Sequence, residues 1–567
     1  MSSSATEDKS LIQAVPSLSS SSVSSRSSSA DSEERPQVFT DDHHDAGLSA
    51  IRRTVTRESA TDQGREEVLA EVYTRASAFS NPLPSMGGKP YPPMIEDIDQ
   101  YKVEFDGPDD PMCPLNWSAL RKARTGGLLV LPTFSAVWGS SIYGSATVDI
   151  EHLFHVGTPV AVLGVSLYVL GFATGPILWG PLSEIYGRKV PVVVSTFINA
   201  AFTFWTATAD HFYHLMLYRF FSGVFASAPL VIVAAAYADM LQTKTRGGAI
   251  SLFSLCVMGG PLLAPVAGGY IVNSFLGWRW VFYITGILTS FATVVFALFG
   301  EETYHPIVLT ARARELRERT GNKMIFAAQE RIEVDLYAIV HRVLALPIKM
   351  LFREPILLLM SLYHGFVYGI LYLLLEAVPI VFTKYGFHKG NLYLPYLSLF
   401  CGVLIFTVID FCYFQKKFAR DLAKSGRAVV PELRLPGMIA GGFLFPIGIF
   451  WFCWTGAYHE YCHWIVPTIG LAFVGAGLIG IFLPIFNYLI DTYLMLAASA
   501  LAANAFTRAS MGAAFPIFAT AMFHNLGTQW AGTLLGCLAA ILSPIPVCFY
   551  MYGHVIRRYS TYAPKIE

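Results

Sequence analysis

Beyond Trp117 the chain is a succession of apolar runs, each about 20 residues long and parted by short polar breaks. That is the length a helix needs to cross the hydrocarbon of a bilayer, and a helix satisfies its own backbone there without help from water. The runs fall at about 123–147, 158–180, 190–209, 212–237, 248–273, 279–299, 355–382, 391–412, 437–457, 464–489, 494–521 and 528–553. Twelve transmembrane helices are expected, so the fold class is all-α integral membrane. Composition agrees. Of 567 residues, 54% are in the AVILMFWYC set and only 14% are charged, against about 25% in soluble domains. Met1–Ser10 is polar, so no cleavable leader is expected and the first span serves as the insertion signal. Eight cysteines form no C-x-x-C pair and mostly lie inside apolar runs, where a thiol behaves as a small hydrophobe. Neither a disulfide framework nor a zinc knuckle is expected.

Residues 1–100 have another texture: Ser-, Asp- and Pro-rich, with 9 Lys+Arg against 16 Asp+Glu, while the remainder has 31 against 24. Opposite charges of seven cancel to zero, so no nucleic-acid partner is expected. So few aromatics cannot offset ordering entropy, and the segment reads as a disordered cytoplasmic tail. It is either a regulatory arm for kinases or an inert leader. Asp41-Asp42-His43-His44-Asp45 lies within it and is weak as a metal site.

Basic residues set orientation. Loops 149–157, 210–211, 458–463 and 522–527 hold no Lys or Arg, although Lys384 and Lys389 follow span seven. Arg188, Lys189, Lys244, Arg246 and the many cations of 301–353 and 416–434 lie on the other side. Both termini are therefore expected in the cytoplasm. The organisation expected is a tail (1–100), a six-helix half (101–300), a central cytoplasmic loop (301–353), a second half (354–555) and a short C-terminal tail (556–567). Paired six-helix halves with a site between them are a recurrent carrier plan.

Between spans two and three stands Gly180-Pro181-Leu182-Ser183-Glu184-Ile185-Tyr186-Gly187-Arg188-Lys189. Its two glycines permit a tight turn, and Glu184 can pair with Arg188 or face a helix N-terminus. The bland alternative is an ordinary basic loop. This decapeptide resembles the signature loop of the major facilitator superfamily, above all its fungal drug:proton antiporter branch. Other pieces are similar in order: Arg219 within 217–223, the span-five run 259–269, Gly277-Trp278-Arg279-Trp280, Glu302-Thr303-Tyr304-His305-Pro306, Asp491-Thr492-Tyr493, and Asn504 to Pro516. Phe105-Asp106-Gly107-Pro108-Asp109-Asp110-Pro111, with Asn116-Trp117, is similar to the branch's polyamine and multidrug exporters. Glu184 departs from the usual Asp, and Ala264 stands where many members have Gly. The resemblance implies the major facilitator fold, with proton coupling at the position of Arg219 and an antiporter motif at Gly260, Pro261, Pro265, Gly268 and Gly269.

The residues themselves narrow the chemistry. An intramembrane arginine costs about 2.5–3.5 kcal/mol on insertion scales, so Arg219 needs a partner or a wet cavity. By topology Asp149 is the nearest carboxylate; the plainer reading is a snorkelling side chain. The span-five glycines admit a neighbouring helix, while two prolines four apart permit bending. On span seven His364, Tyr368, Tyr372 and Glu376 recur every fourth residue and so share a slowly winding face. Such rings with one acid could hold a cation, Glu376 could instead carry the proton, or the stripe could be packing. Asn487, Asn504 and Arg508 form a second candidate cluster for the substrate cavity. Asp239 with Arg246, and Asp491 near the basic loops, are expected to lock the cytoplasmic gate.

His459-Glu460-Tyr461-Cys462-His463 matches the zinc-protease pattern, but in an outward loop without a third ligand. Asn116-Trp117-Ser118 is a glycosylation sequon on the cytosolic side. The expectation is a monomeric proton-coupled exporter of amphipathic or cationic small molecules such as drugs and polyamines. It is not an enzyme, needs no cofactor beyond the coupling proton, and resides in the plasma membrane, with the vacuolar membrane as alternative. A nutrient or organic-acid uptake symporter and, from another class, a zinc hydrolase are the competing readings.

Overall fold

The computed structural model describes residues 101–567 apart from 108, 332–344, 426–429, 494–495, 559, 561 and 563–567. The expected N-terminal tail lies outside the described residues. Among these residues every regular element is helical, and the sole β pairing is an isolated bridge between Lys102 and Phe326. Span one is Ala119–Ser141, continued by a 3-10 stretch at Ile142–Ala146; span two is Leu163–Ile185, after a leading turn Thr158–Ala161. Spans three to six are Lys189–Ala207, Phe212–Met240, Thr243–Val272 and Arg279–Phe299. Spans seven to nine are Pro355–Lys384, Tyr396–Ile409 and Leu435–Ala457; spans ten and eleven are Ile465–Tyr493 and Ala497–Leu526. Span twelve, Thr528–Leu542, continues as Pro544–Arg558.

Ten of these helices have the length and apolarity to cross a bilayer, which makes this a multi-pass membrane protein; spans one and eleven do not reach that apolarity. Several of their polar residues are buried within the protein. Thr125, Thr133, Ser135, Ser140 and Ser141 of span one are buried, as are Asn504 and Arg508 of span eleven. Within the first half span two packs on span four, and within the second span eight packs on span ten. Both contacts use the same device. A Cβ on Gly171 or Gly223 would strike the backbone of the partner span, and so would one on Gly402 or Gly475. Only bare glycine lets the backbones approach so closely. Between the halves, span two meets span eleven and span five meets span eight.

Two stretches expected as loops are ordered on the face that carries the basic connections. Span eight runs through a π-turn at Asp410–Phe414 into the helix Gln415–Ser425, because Phe414, Phe418 and Leu422 repeat every fourth residue and turn inward. Lys416, Lys417, Arg420 and Lys424 therefore ride a helix. The region 301–353 contains the helix His305–Thr320, closed by Gly321 at φ +71°. Leu309, Ala313 and Leu316 on that helix pack against Tyr101, Val103 and Ile325–Ala327 in a separate small core.

A buried ion cluster fastens this unit to the segment before span one. Arg312 donates to Asp110 at 2.9 Å and to Asp106 at 2.9 Å. Burial alone would raise the Asp110 carboxyl, but the N–H groups of Asp106 and Met112 and the Arg312 guanidinium outweigh it and hold it below the usual carboxylate range. A depressed carboxyl contributes stability above its unfolded pKa and loses it as pH falls through the folded one. Protease protection of His305–Thr320 is therefore expected to stay constant from neutrality downward and to fail only below about pH 4. In Asp110→Asn the protection should be lost already at neutral pH; retention there would show that the cluster does not hold the unit.

Candidate functional site

Arg219 of span four is 2% exposed. It neither snorkels nor meets Asp149, which lies half-buried on the short helix Thr147–Phe154. Its Nε donates to Gly164 O at 2.9 Å, Nη1 to Gly139 O at 2.9 Å and Nη2 to Ser140 O at 3.2 Å. Two of these carbonyls lie where span one changes from α to 3-10 geometry, a place where acceptors lose their usual partners. The rings of Tyr168 and Tyr143 sit 4.2 and 5.2 Å from its guanidinium, adding cation–π attraction. Gly164 has to be bare, since a Cβ there would collide with the Tyr143 ring.

From that arginine a polar chain crosses between the halves. Ser140, whose carbonyl holds Arg219, places its hydroxyl 2.8 Å from the Tyr372 hydroxyl of span seven. Tyr372 lies 3.4 Å from the Tyr368 hydroxyl. The guanidinium of Arg508 stands 4.4 Å from the Tyr368 ring centroid and 5.4 Å from that of Phe482. Two intramembrane arginines, one in each half, are thus linked through one serine and two tyrosines. His364 adds a branch: its Nδ1 is 2.8 Å from Asn504 Oδ1, while Asn504 Nδ2 donates to Ser361 at 3.2 Å.

The span-seven stripe is assembled as the fourfold spacing implied, with His364, Tyr368 and Tyr372 fully buried. Glu376 is half-buried, and among the described residues no hydrogen bond or ion pair reaches it. Span seven starts at Pro355 beside the basic region and ends at Lys384, so Glu376 stands toward the opposite end of the spans from the basic loops. Asn487 does not join Asn504 and Arg508. It donates to Leu483 O at 3.2 Å and faces a small cavity shared with Asp410 and Arg434. The reason is helical phase: Phe482 and Phe486 present their rings to His364, leaving Asn487 on another face.

The gate residues also pair differently from expectation. Arg188 bonds Asp239 at 2.9 Å and Ser183 at 2.8 Å, whereas Glu184 is exposed and unpaired with Arg188. Glu302 takes the place foreseen for Glu184. Its carboxylate accepts the N–H groups of Arg188 and Lys189 at 2.8 and 2.9 Å, neutralising the N-terminus of span three. Gly187, at φ +83°, lies so close that a Cβ would be 2.5 Å from Glu302. Arg246 bonds not Asp239 but Asp491, at 2.8 Å, and Asp491 also receives Arg434 at 3.0 Å. That bond joins span five of one half to span ten of the other. Gly180 has open space around it and Lys189 begins span three.

Span five lies between spans one and eight. Cβ atoms on Gly260 and Gly268 would strike Val137 and Ser145 of the first span, and one on Gly269 would strike Tyr393 of the second half. Ala264 is fully buried among Ile142 and Val281 on the same face, so its methyl group is accommodated. Pro261 and Pro265 sit within a continuous helix. The zinc-protease pattern fails on geometry. His459–His463 occupy a turn rather than a helix; His459 meets the Tyr385 ring edge-on, and His463 Nδ1 accepts the Ile465 N–H. Among the described residues no group of three or more His, Cys, Asp and Glu is placed to hold a metal.

Ser140, Glu302 and Arg434 escaped the sequence reading. A serine in an apolar run carries no signal, Glu302 entered only as part of a similar pentapeptide, and Arg434 only as one loop cation among many.

Comparison with known proteins places this arrangement. The model of the Major Facilitator Superfamily matches residues 129–516. The chain is 46% identical over 518 residues to the Major facilitator superfamily multidrug transporter FLU1 of Candida albicans, spanning 90% of this chain and 85% of that one. It is 47% identical over 483 residues to the multidrug transporter TPO1_1 of Candida glabrata, spanning 85% and 84%. In fold it is similar to the xylose transporter XylE from E. coli, at a TM-score of 0.53 and 18% identity over 79% of this chain and 100% of that chain. Since the family match reaches from span one into span eleven and the helical architecture is shared, this chain belongs to the Major Facilitator Superfamily.

Proposed function

We propose that this protein is a proton-coupled antiporter that exports amphipathic or cationic small molecules, drugs and polyamines among them, by alternating access. The named activities of the multidrug relatives support the cargo class. The carrying observation is the span-seven stripe: one end is tied to both halves through Ser140 and Arg508, while the other ends in the unpaired Glu376. A cation held by Glu376 and the adjoining rings would compete with a proton for the same carboxylate. Binding of one then favours release of the other, which is the requirement for exchange.

The two halves, 101–300 and 354–555, rock about this stripe. Gly180, Gly187, Arg188 and Lys189 with Asp239 and Glu302 steady the gate on the basic side, and Arg246–Asp491 closes it across the halves. Arg219 links the proton step to the rocking. The small-residue face of span five, from Gly260 to Gly269 with its two prolines, keeps the halves tight against leak. The basic face is assigned to the cytoplasm, with both termini there, the plasma membrane as the site and the 1–100 tail as a target for kinases. One copy suffices, and no organic cofactor takes part.

Purified protein in liposomes with an imposed pH gradient is expected to move labelled spermidine or an azole against its own gradient, and to stop when the pH gradient is collapsed. Glu376→Gln should reduce proton-driven spermidine flux by at least tenfold. Undiminished flux in that variant would remove Glu376 from the mechanism. Flux toward the acid side's opposite, that is, cargo moving with the proton, would favour the uptake symporter instead.

A further inference from the structure

The stretch that follows span twelve is fastened to the second half by a carboxylate. Glu354, fully buried at the N-cap of span seven, accepts the Ser560 hydroxyl at 2.5 Å and the Tyr562 N–H at 3.1 Å. It also accepts the hydroxyl of Tyr493, the last residue of span ten, at 3.2 Å. Three residues before the serine, Arg557 bonds Glu432, just ahead of span nine, at 2.9 Å. Ser560 donates its N–H to Arg557 O at 3.1 Å, closing a turn, and Tyr562 packs against the main core. A chain end is loose unless something ties it down. Here a hydroxyl, an amide and a guanidinium tie it to the starts of spans seven and nine, and Ser560 is left only 6% exposed.

The sequence at this clasp is Arg557-Arg558-Tyr559-Ser560. Two adjacent arginines, one intervening residue and a serine occur nowhere else in the chain. Arginines at three and two residues before a serine are a charge pattern that a protein kinase reads with carboxylates of its own, each matched to a guanidinium fork. We propose that Ser560 is a phosphorylation site for an arginine-directed protein kinase, and that the phosphate releases the C-terminal tail from Glu354. Ser560 Oγ attacks the γ-phosphorus of ATP. The new Oγ–P bond replaces the bond from that phosphorus to the β,γ-bridging oxygen, ADP leaves, and the hydroxyl proton passes to the catalytic carboxylate of the kinase. Glu354 thereby loses a donor and gains as neighbour a group of charge about −1.5 to −2. Repulsion, and the cost of burying both charges, exclude the docked arrangement. While docked, both the serine and Arg557 are engaged, so the kinase takes the undocked chain and the phosphate traps that state. Span seven carries the His364–Glu376 stripe, so the released brace is one on the helix that lines the cavity.

The site draws on the exporter reading only for placing the basic face, and with it ATP, in the cytoplasm. In detergent both faces are open, so the outcome there is independent of transport. The full chain purified in detergent is incubated with ATP, magnesium and the catalytic subunit of cyclic-AMP-dependent protein kinase, an arginine-directed enzyme. Phosphate at Ser560 is followed by site-resolved mass spectrometry. It is expected to enter the wild type, at least tenfold more slowly Arg558→Gln, and at least fivefold faster Tyr562→Ala, which loosens the docked end and keeps both arginines. Amide exchange at Tyr562, whose N–H donates to Glu354, should quicken at least tenfold in the phosphorylated protein; in Ser560→Ala the same treatment should leave it unchanged. No phosphate at Ser560 in either the wild type or Tyr562→Ala overturns the site. Phosphate at Ser560 with unaltered exchange at Tyr562 overturns the release, and equal incorporation rates in the wild type and Tyr562→Ala overturn the shielding of the serine by docking.

Discussion

Arg219→Lys is expected to abolish transport, by at least a hundredfold, while leaving the protein in the membrane but less stable. Lysine keeps the positive charge, so a purely electrostatic role would survive the exchange. The geometry asks for more. Three acceptors from two helices, Gly139 and Ser140 on span one and Gly164 on span two, are met by three different guanidinium nitrogens spread across a plane. An ammonium is a compact point donor on a flexible stem and cannot reach all three. At least one buried carbonyl would be left without a donor, at a cost of about 1–3 kcal/mol. The face-on contacts with Tyr168 and Tyr143 would weaken as well. The loss falls on the functional chain, because Ser140, released from Arg219, is the residue that reaches Tyr372 in the other half. Flux in proteoliposomes and the unfolding midpoint check both parts. A lysine variant with wild-type flux would mean that charge alone matters and that the carbonyl cradle is structural.

How much of this was legible follows from what each signal depends on. Span positions need only local apolarity, and most boundaries agree within a few residues. Spans one and eleven are the weak ones by apolarity because their polar side chains are turned into the protein, and hydropathy cannot see direction. The His364–Tyr368–Tyr372 stripe was readable because helical phase is a property of one segment. Pairings between segments were not. Asp239 chose Arg188 over Arg246, and Glu302 displaced Glu184, because those choices are set by how spans three, four and five converge with the stretch after span six. The helix His305–Thr320 could have been foreseen from Leu309, Ala313, Leu316 and Thr320, spaced at three and four residues along one side and closed by Gly321. Its many arginines marked it instead as a basic loop. Asn487 and Arg508 both looked like polar intruders in apolar helices, and only the packing shows that one faces the basic-side cavity and the other a pair of rings.

The second large effect is expected at Asp491. Its carboxylate, 1% exposed, is the shared acceptor for Arg246 of the first half and Arg434 of the second. Among the described residues both cations are already short of partners: Arg246 Nε and Arg434 Nη2 are buried with none, and Arg434 otherwise has Gln415 at 3.1 Å and the Phe418 ring at 3.4 Å. Asp491→Asn removes the negative charge and leaves two buried guanidinium groups facing each other, a loss of about 3–5 kcal/mol by analogy with broken buried pairs. Only the Arg246 bond spans the halves, so part of that loss is specific to the state closed on the basic side. The equilibrium should shift toward the state open there, by at least tenfold if as little as about 1.4 kcal/mol is specific to closure. The measurement is the alkylation rate of a cysteine placed at Ser254, which is fully buried on span five two turns from Arg246; site-resolved mass spectrometry separates it from the native thiols. The rate should rise at least tenfold in Asp491→Asn, and adding Arg246→Met should reverse part of the rise, because the cation left unpaired across the seam is then gone. Equal rates with and without the carboxylate would show that the seam is held by its other contacts, the Ser251–Asp410 hydrogen bond and apolar packing such as Phe253 on Phe486, and that Asp491 serves only to anchor Arg434 within its own half.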